Sequence, residues 1–225
     1  MSASKRMTKQ ELKKDSFVSF FLRISSFLQR NSTYTTIGAV AIIIILGAIA
    51  FFNWTAKTRE QESINLIGIA QLDFSQGQLE SAKTNFTKAI NEYSGTKSAK
   101  LATLYMGYIS LLEENYDEAE NYYKDFLKSG IKDTELIPAA RGGLAAALEG
   151  KGQFKEAAEY YIQTVNKYPK FFNNDEYLMF AGNAFLVAND TLSSIDAFKK
   201  IIDEHKNSNK YHIAKERFYE LGGKE

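Results

Sequence analysis

Cysteine is absent from this sequence of 225 residues, and histidine and proline occur only twice each. A chain without cysteine forms no disulfide and carries no acylated N-terminal cysteine. The usual indication of a redox compartment is therefore missing. The compartment has to be inferred from the distribution of apolar and charged residues along the chain.

Patterns typical of catalysis or cofactor binding are also missing. His205 and His212, the only histidines, have no cysteine companion and no zinc-site spacing with acidic ligands. The segment Gly150-Lys151-Gly152 lacks the lysine followed by serine or threonine of a phosphate-binding loop, and we interpret it as a turn between helices. We expect a protein that is not an enzyme and that needs no cofactor or metal ion.

One acidic cluster has two interpretations. It could bind a cation or act in general acid chemistry, but charged runs on helices usually face water. We therefore interpret it as a solvated helix face. Its members are Glu113, Glu114, Asp117, Glu118 and Glu120.

An uncharged apolar run, residues 35–54, is the longest in the sequence. Roughly 20 apolar residues at about 1.5 Å rise each cross a hydrocarbon layer of about 30 Å. We predict a transmembrane helix here. A cleaved signal peptide is the alternative, but signal peptides total about 15–30 residues, and here the leader alone is longer than that.

Charge asymmetry predicts the orientation of this helix. Residues 1–30 hold seven basic and two acidic side chains, whereas residues 57–225 hold 21 basic and 25 acidic ones. The positive-inside rule places the N-terminus in the cytoplasm and the C-terminal part across the membrane. We predict a cytoplasmic basic leader over 1–34, a transmembrane helix over 35–54 and an extracytoplasmic domain over 55–225. The acidity of this domain argues against a nucleic-acid surface.

The leader contains an amphipathic segment, residues 16–30, in which polar residues recur every three or four positions. We predict that it lies on the inner membrane surface, with its aromatic side chains at the acyl boundary and its arginines among the headgroups. Docking onto another membrane subunit would use the same face, and the sequence leaves both readings open. The predicted membrane-interface residues are Phe17, Phe20, Phe21, Arg23, Ile24, Phe27 and Arg30.

A repeat follows the apolar run. Small residues recur at intervals of 37, 38 and 37 residues, at Ala82, Ala119, Ala157 and Ser194. Another small residue stands twelve positions before each, and an aromatic residue four positions after, at Phe86, Tyr123, Tyr161 and Phe198. A fixed period in this range is typical of stacked helical repeats, because one helix pair cannot bury its apolar face alone.

The predicted fold class is all-α. The first helices of the pairs are expected at residues 64–75, 101–113, 139–148 and 178–188, with turns at Gly77, Asn115, Gly152 and Asp190. Residues 211–221 would cap the open end through Ile213, Phe218 and Leu221. No proline or glycine interrupts residues 49–67, so the membrane helix is expected to continue into the first repeat.

These positions resemble the tetratricopeptide repeat, which has small residues at its eighth and twentieth positions and an aromatic at its twenty-fourth. The period is longer than the usual 34, and Leu66, Thr103, Arg141 and Leu178 replace the common tryptophan. The resemblance implies about four helix pairs and a protein-binding groove lined by the first helices. The groove residues carried over are Ile64, Ile67, Phe74, Leu101, Leu104, Tyr108, Leu111, Leu112, Met179 and Leu186. Some of these side chains could instead pack against a neighbouring repeat.

The whole architecture resembles the YfgM-like ancillary subunit of the bacterial SecYEG translocon. Membership would imply a single-pass protein of the bacterial inner membrane with a periplasmic domain. Its partners would be a SecYEG-type translocon and a PpiD-type periplasmic chaperone, and its clients newly exported chains. The alternative is a structural subunit of another envelope membrane complex that binds no clients.

Overall fold

The computed structural model describes residues 9–224, with side chains from residue 18 onward, and this part contains ten helices and no strand. The predicted all-α fold class is confirmed. The helices are α1 Lys9–Arg30, α2 Ser32–Ser75, α3 Leu79–Glu92, α4 Lys97–Leu112, α5 Tyr116–Lys128, α6 Leu136–Gly150, α7 Phe154–Lys167, α8 Asn174–Val187, α9 Thr191–Glu204 and α10 Tyr211–Glu220.

The chain divides into two compact units, Met1–Lys57 and Thr58–Glu225. The first contains α1 and the apolar part of α2. The second contains the end of α2 and all later helices. The predicted absence of a break over residues 49–67 is confirmed, since α2 is a single helix of 44 residues.

The second unit is a stack of helix pairs. The end of α2 pairs with α3, and α4 with α5, α6 with α7 and α8 with α9 follow, each helix from α3 onward packing against its neighbours in sequence. The four predicted pairs are confirmed. The last helix, α10, packs on α9 and buries Ala214 and Phe218, whereas Ile213, expected in the cap, is half exposed.

Small and aromatic residues fit together between the helices as the repeat pattern predicts. The four aromatic residues at the twenty-fourth position are at most 2% exposed. A Cβ atom added to Gly182 would lie 2.5 Å from the Phe198 ring, and one added to Gly107 would lie 3.1 Å from the Tyr123 ring. Each ring therefore occupies space that a larger residue on the facing helix would fill.

The turn inside each pair has one residue in the left-handed backbone region, always five positions before the small residue of the second helix. These residues are Gly77 at φ 74°, Glu114 at 59°, Gly152 at 77° and Asn189 at 59°. The predicted turn residues Asn115 and Asp190 lie between the two helices of their pairs, one residue after the left-handed position. Each precedes the first residue of the second helix, as its N-cap.

The first helices of the later pairs begin three or four residues earlier than expected. The hydroxyl of Thr96 accepts a hydrogen bond from the Ala99 N–H at 3.0 Å and caps α4. Asp133 Oδ1 accepts hydrogen bonds from the N–H groups of Glu135 and Leu136, both at 2.8 Å, and caps α6. These residues supply partners for free backbone donors, so each helix begins beside them rather than at its first apolar repeat position.

Candidate functional site

An apolar groove lies on the side of the stack formed by the first helices of the first three pairs. It encloses about 230 Å³. Residues from α2, α4, α5 and α6 line it, and all of them are aromatic or aliphatic. We call this surface the apolar groove, and its lining residues are Phe74, Leu101, Leu104, Tyr105, Tyr108, Tyr123, Leu136 and Ala139.

Helix α4 supplies the floor because Leu101, Leu104 and Tyr108 recur at helical spacing along one face. The aromatic wall is fixed by ring contacts. Phe74 meets Tyr105 edge-on at 5.9 Å and Tyr108 edge-on at 5.6 Å between ring centroids. Such edge-to-face pairs are favourable and hold the rings in one arrangement. The groove is therefore formed before any ligand arrives.

Two further contacts fix the position of the Tyr105 side chain. Its ring stacks on the buried Phe86 ring at 5.0 Å, and its hydroxyl accepts a hydrogen bond from the side-chain amide of Gln71 at 3.0 Å. Burial raises the pKa of Tyr123 well above its usual value, so this phenol stays uncharged. No ionised group contributes to the lining, which suits the binding of apolar side chains.

The structure brings together four of the ten predicted groove residues: Phe74, Leu101, Leu104 and Tyr108. Tyr108 is 48% exposed, and the other three are half-buried. Ile64 and Leu112 are exposed outside the cavity. Leu111 packs against the core between α5 and α6, and Leu186 packs against the C-terminal core.

Ile67 and Met179 lie in the core, with 4% and 8% of their surface exposed. Ile67 packs with Ala82 and Phe86 of α3, so its side chain stabilises the first pair and is closed to a ligand. Met179 belongs to the C-terminal cluster around Tyr161. For these two residues, packing against a neighbouring repeat is the observed arrangement.

Four of the eight lining residues are not among these ten: Ala139, which begins the predicted first helix of the third pair, and Tyr105, Tyr123 and Leu136. Tyr105 lies one helical turn after Leu101 on α4, and Tyr123 was assigned only a core role. Leu136 precedes the expected start of α6 at residue 139. The capping carboxylate of Asp133 is the signal in the sequence that would have extended α6 to include Leu136.

The acidic cluster after α4 is largely paired. Lys83 Nζ lies 2.9 Å from Glu113 Oε1, and Lys151 Nζ lies 2.6 Å from Asp117 Oδ1 and 2.7 Å from Glu120 Oε2. Hydrogen bonds from Lys124 and Lys151 lower the pKa of Glu120. Within the described residues, no group of three metal-ligating side chains is present. These ion pairs connect successive helix pairs of the stack.

In the first unit, α2 contains one stretch that is long and apolar enough to cross a membrane, with a mean hydropathy of 2.5. None of that stretch is buried within the protein. In α1, the side chains of Phe20, Phe21 and Phe27 are more than 60% exposed, and Ile24 is 41% exposed. Arg23 and Arg30 are also exposed. Phe17 lies outside the described side chains.

Comparison with known proteins identifies the family. A model for the tetratricopeptide repeat-like domain matches residues 25–222, which include the apolar stretch of α2. This chain belongs to the tetratricopeptide repeat-like family. Repeats of this family stack into solenoids whose concave faces bind peptides and proteins. No curated protein is similar enough to this chain to count as a relative.

Two solved structures are similar to this tetratricopeptide repeat protein. One is a tetratricopeptide repeat protein from Parabacteroides merdae, with 17% identity and a TM-score of 0.60. The match covers 72% of this chain and 60% of that protein, so this chain spans less than two thirds of its length. The other is YrrB, a tetratricopeptide repeat protein with an unusual peptide-binding site, with 20% identity and a TM-score of 0.32 over 68% and 92% of the two chains. At 17% identity the likeness to the Parabacteroides merdae protein concerns the fold alone.

Proposed function

We propose that this tetratricopeptide repeat protein is a membrane-anchored scaffold beside the protein-export translocon. Its groove binds a PpiD-type periplasmic chaperone or a newly exported chain. The observation that carries this proposal is the preformed, uncharged apolar groove, in which Tyr108 is half exposed and Leu101 and Leu104 are half-buried. Chains that have not yet folded expose the apolar side chains that such a surface binds.

The anchor in this proposal is the apolar part of α2, in the bacterial inner membrane. The excess of basic residues before it supports a cytoplasmic N-terminus and a periplasmic repeat domain. The exposed phenylalanines of α1 support contact with the inner membrane surface, where arginines meet anionic headgroups. A neighbouring membrane subunit such as a SecYEG-type translocon would use the same face.

Photo-crosslinking from single positions tests the partners. A photoreactive residue at Tyr108 reports on the groove, and one at Leu192, which is 78% exposed on α9, is the matched control outside it. We expect adducts with the chaperone or with exported chains from Tyr108 and none of these from Leu192. Purification of the tagged protein in mild detergent should bring translocon subunits with it, and their absence would contradict the proposed location.

Leu104→Asp tests the groove itself, because it places a charge on the half-buried floor. Burying a carboxylate against apolar ligand side chains is costly, so we expect binding of unfolded chains to fall by about tenfold or more. Leu112→Asp is the matched control, since Leu112 lies on the same helix, is 52% exposed and does not line the groove.

Circular dichroism and thermal unfolding of both variants separate loss of binding from loss of fold. Tyr108→Asp repeats the test at a more exposed position and limits the effect on packing. The alternative, a structural subunit without clients, predicts that all three variants retain function in cells. Leu111 is unsuitable for this test because its side chain does not line the groove.

A further inference from the structure

The apolar groove continues into a second cavity with a different character. This cavity encloses about 510 Å³ and shares Leu101 and Leu136 with the groove, so the two are contiguous. Its other lining residues are mostly polar and come from the start of α4 and the segment before α6. They are Lys97, Ser98, Lys100, Gly130, Ile131, Lys132 and Asp133.

Three lysines give this cavity its charge, and we call Lys97, Lys100 and Lys132 the basic end. On α4 the basic end extends the stripe that forms the groove floor. Lys97 precedes Leu101 by four residues and Lys100 precedes Leu104 by four, so each lysine lies about one turn, roughly 5.4 Å, before a groove leucine on the same face. A ligand that lies along α4 therefore contacts apolar side chains in the groove and lysine side chains at the basic end.

The lysines of the basic end are available to a ligand. In the part of the chain that the structure describes, no salt bridge joins any of the three to a carboxylate. Lys83, Lys151 and Lys210, by contrast, each pair with a carboxylate of another helix. Lys97 and Lys132 are exposed, and Lys100 is half-buried.

Two carboxylates beside the basic end, those of Asp133 and Glu60, accept hydrogen bonds from backbone N–H groups. Asp133 Oδ1 accepts the N–H groups of Glu135 and Leu136, both at 2.8 Å. Glu60 accepts the N–H groups of Lys97 and Ser98, at 2.9 and 3.1 Å. Both carboxylates keep their charge, and Glu60 attracts the Lys97 ammonium, so the three lysines and these two carboxylates leave an excess of one positive charge to attract a ligand carboxylate.

We propose that the groove binds a peptide segment in which apolar side chains lie next to carboxylates. The apolar side chains occupy the groove from Phe74 to Leu101, and the carboxylates lie at the basic end. This inference rests on the proposed function, since it names which segments of a chaperone or exported chain the groove selects. Acidic side chains and a free C-terminal carboxylate offer the same chemistry to the lysines.

Fluorescence anisotropy with the full chain in nanodiscs of zwitterionic lipid tests the proposal, with empty nanodiscs as the background. The probes are labelled synthetic peptides that share one leucine-containing sequence and differ at the C-terminal end, which carries glutamates, lysines or serines. Amidated and free-acid forms of the serine peptide separate the terminal carboxylate from acidic side chains. We expect the glutamate peptide to bind about tenfold more tightly than the lysine peptide, a preference that added salt removes.

The triple variant Lys97→Gln, Lys100→Gln, Lys132→Gln isolates the basic end. We expect it to bind the amidated glutamate peptide only as tightly as the amidated serine peptide, while the affinity for the amidated serine peptide stays unchanged. The matched control is Lys155→Gln, Lys167→Gln, Lys170→Gln, which removes the same charge from exposed positions outside both cavities.

The outcomes distinguish this proposal from the proposed function. If Leu104→Asp abolishes binding but the glutamate and lysine peptides bind equally, the groove binds polypeptide and the charge preference is overturned. Tighter binding of the lysine peptide would also overturn it. If no peptide binds, both proposals fail. Concentration-dependent self-association that Leu104→Asp abolishes would make a second copy of this chain the occupant, and would overturn the proposal.

Discussion

At the scale of single residues, the turns show where the chain tolerates an unfavourable backbone. Glycine occupies the left-handed position in two helix pairs, whereas Glu114 and Asn189 occupy it in the others, both at φ 59°. A residue with a Cβ atom pays about 1–2 kcal/mol in this region, and asparagine is tolerated better than most. The four turns therefore share one backbone conformation, but the free energy needed to adopt it differs between glycine, asparagine and glutamate.

Glu114→Gly is expected to stabilise the protein by about 1 kcal/mol, because glycine adopts the left-handed region without steric cost. Chemical denaturation of the full chain in detergent measures the change. Asn189→Gly, the matched control at the equivalent turn, should gain less. Gly77→Ala, where φ is 74°, should lose stability. An equal gain at Glu114 and Asn189 would contradict the backbone explanation.

Gly182→Ala tests the close approach of α8 and α9. The new methyl group would lie 2.5 Å from the Phe198 ring, so one helix must shift, and we expect a loss of about 1–3 kcal/mol. Gly68→Ala is the control, since a Cβ atom there meets nothing within 4 Å and alanine favours helix. The double variant Gly182→Ala, Phe198→Leu should recover part of the loss, and thermal unfolding measures all three.

At the scale of helices, α2 and α4 are joined by a polar contact that repeat alignment does not show. Glu60 of α2 accepts hydrogen bonds from the N–H groups of Lys97 and Ser98 and from the Ser98 hydroxyl, the last at 2.7 Å. Burial acts to raise the pKa of Glu60, but these hydrogen bonds outweigh it and lower the pKa below the ordinary 4.5. The carboxylate thus acts as a cap supplied by another helix.

Because folding lowers this pKa, the contribution of Glu60 is present above the unfolded value and is lost as the pH falls through the folded one. We expect Glu60→Gln to destabilise the protein by about 1 kcal/mol at neutral pH, the usual size of a capping interaction. The difference should vanish well below pH 4.5. Urea unfolding at several pH values measures it, with Glu159→Gln on the exposed face of α7 as the control.

A departure from the repeat pattern on α6 has a structural explanation. Arg141 stands where tryptophan is common in the family, and its guanidinium lies 4.5 Å from the centre of the Tyr160 ring. Its Nε donates a hydrogen bond to the buried Thr164 hydroxyl at 3.0 Å. The flat guanidinium covers the ring on α7 much as an indole would, while satisfying a polar group in the core.

The leader and the repeat domain of this protein are predicted to lie on opposite sides of the membrane. The sequence has no cysteine, so a single introduced thiol is a unique label. Ser4→Cys reports on the leader, and Ser94→Cys reports on an exposed turn of the repeat domain. We expect a membrane-impermeant maleimide to label Ser94→Cys in intact spheroplasts and to label Ser4→Cys only after lysis. The reverse pattern would contradict the proposed orientation.

Much of the fold was predictable because the repeat signal is local. The spacing of Ala82, Ala119 and Ala157 predicted the helix pairs, since small residues are required wherever two backbones approach closely. Helix starts were less accurate. The caps of α4 and α6 come from Thr96 and Asp133, which stand outside the positions that define the repeat.

The groove was only partly predictable. Phe74, Leu101, Leu104 and Tyr108 lie together in it, but Ile67 and Met179, carried over by the same positional rule, are buried in the core. Whether an apolar residue on a first helix faces the groove or the next pair depends on how successive pairs are rotated. That rotation follows from the side chains packed between them, such as Tyr123 against Gly107 and Gly143.

The sequence alone determined that the chain is a helical repeat preceded by one long apolar helix, because hydrophobic period and spacing are properties of neighbouring residues. Tertiary structure decided which apolar side chains remain open to a partner and which lysines stay unpaired beside them. Both depend on contacts between residues some 30 to 40 positions apart, such as the backbone N–H of Lys97 with the Glu60 carboxylate and the Gln71 amide with the Tyr105 hydroxyl. Such contacts leave no pattern among neighbouring residues of the sequence.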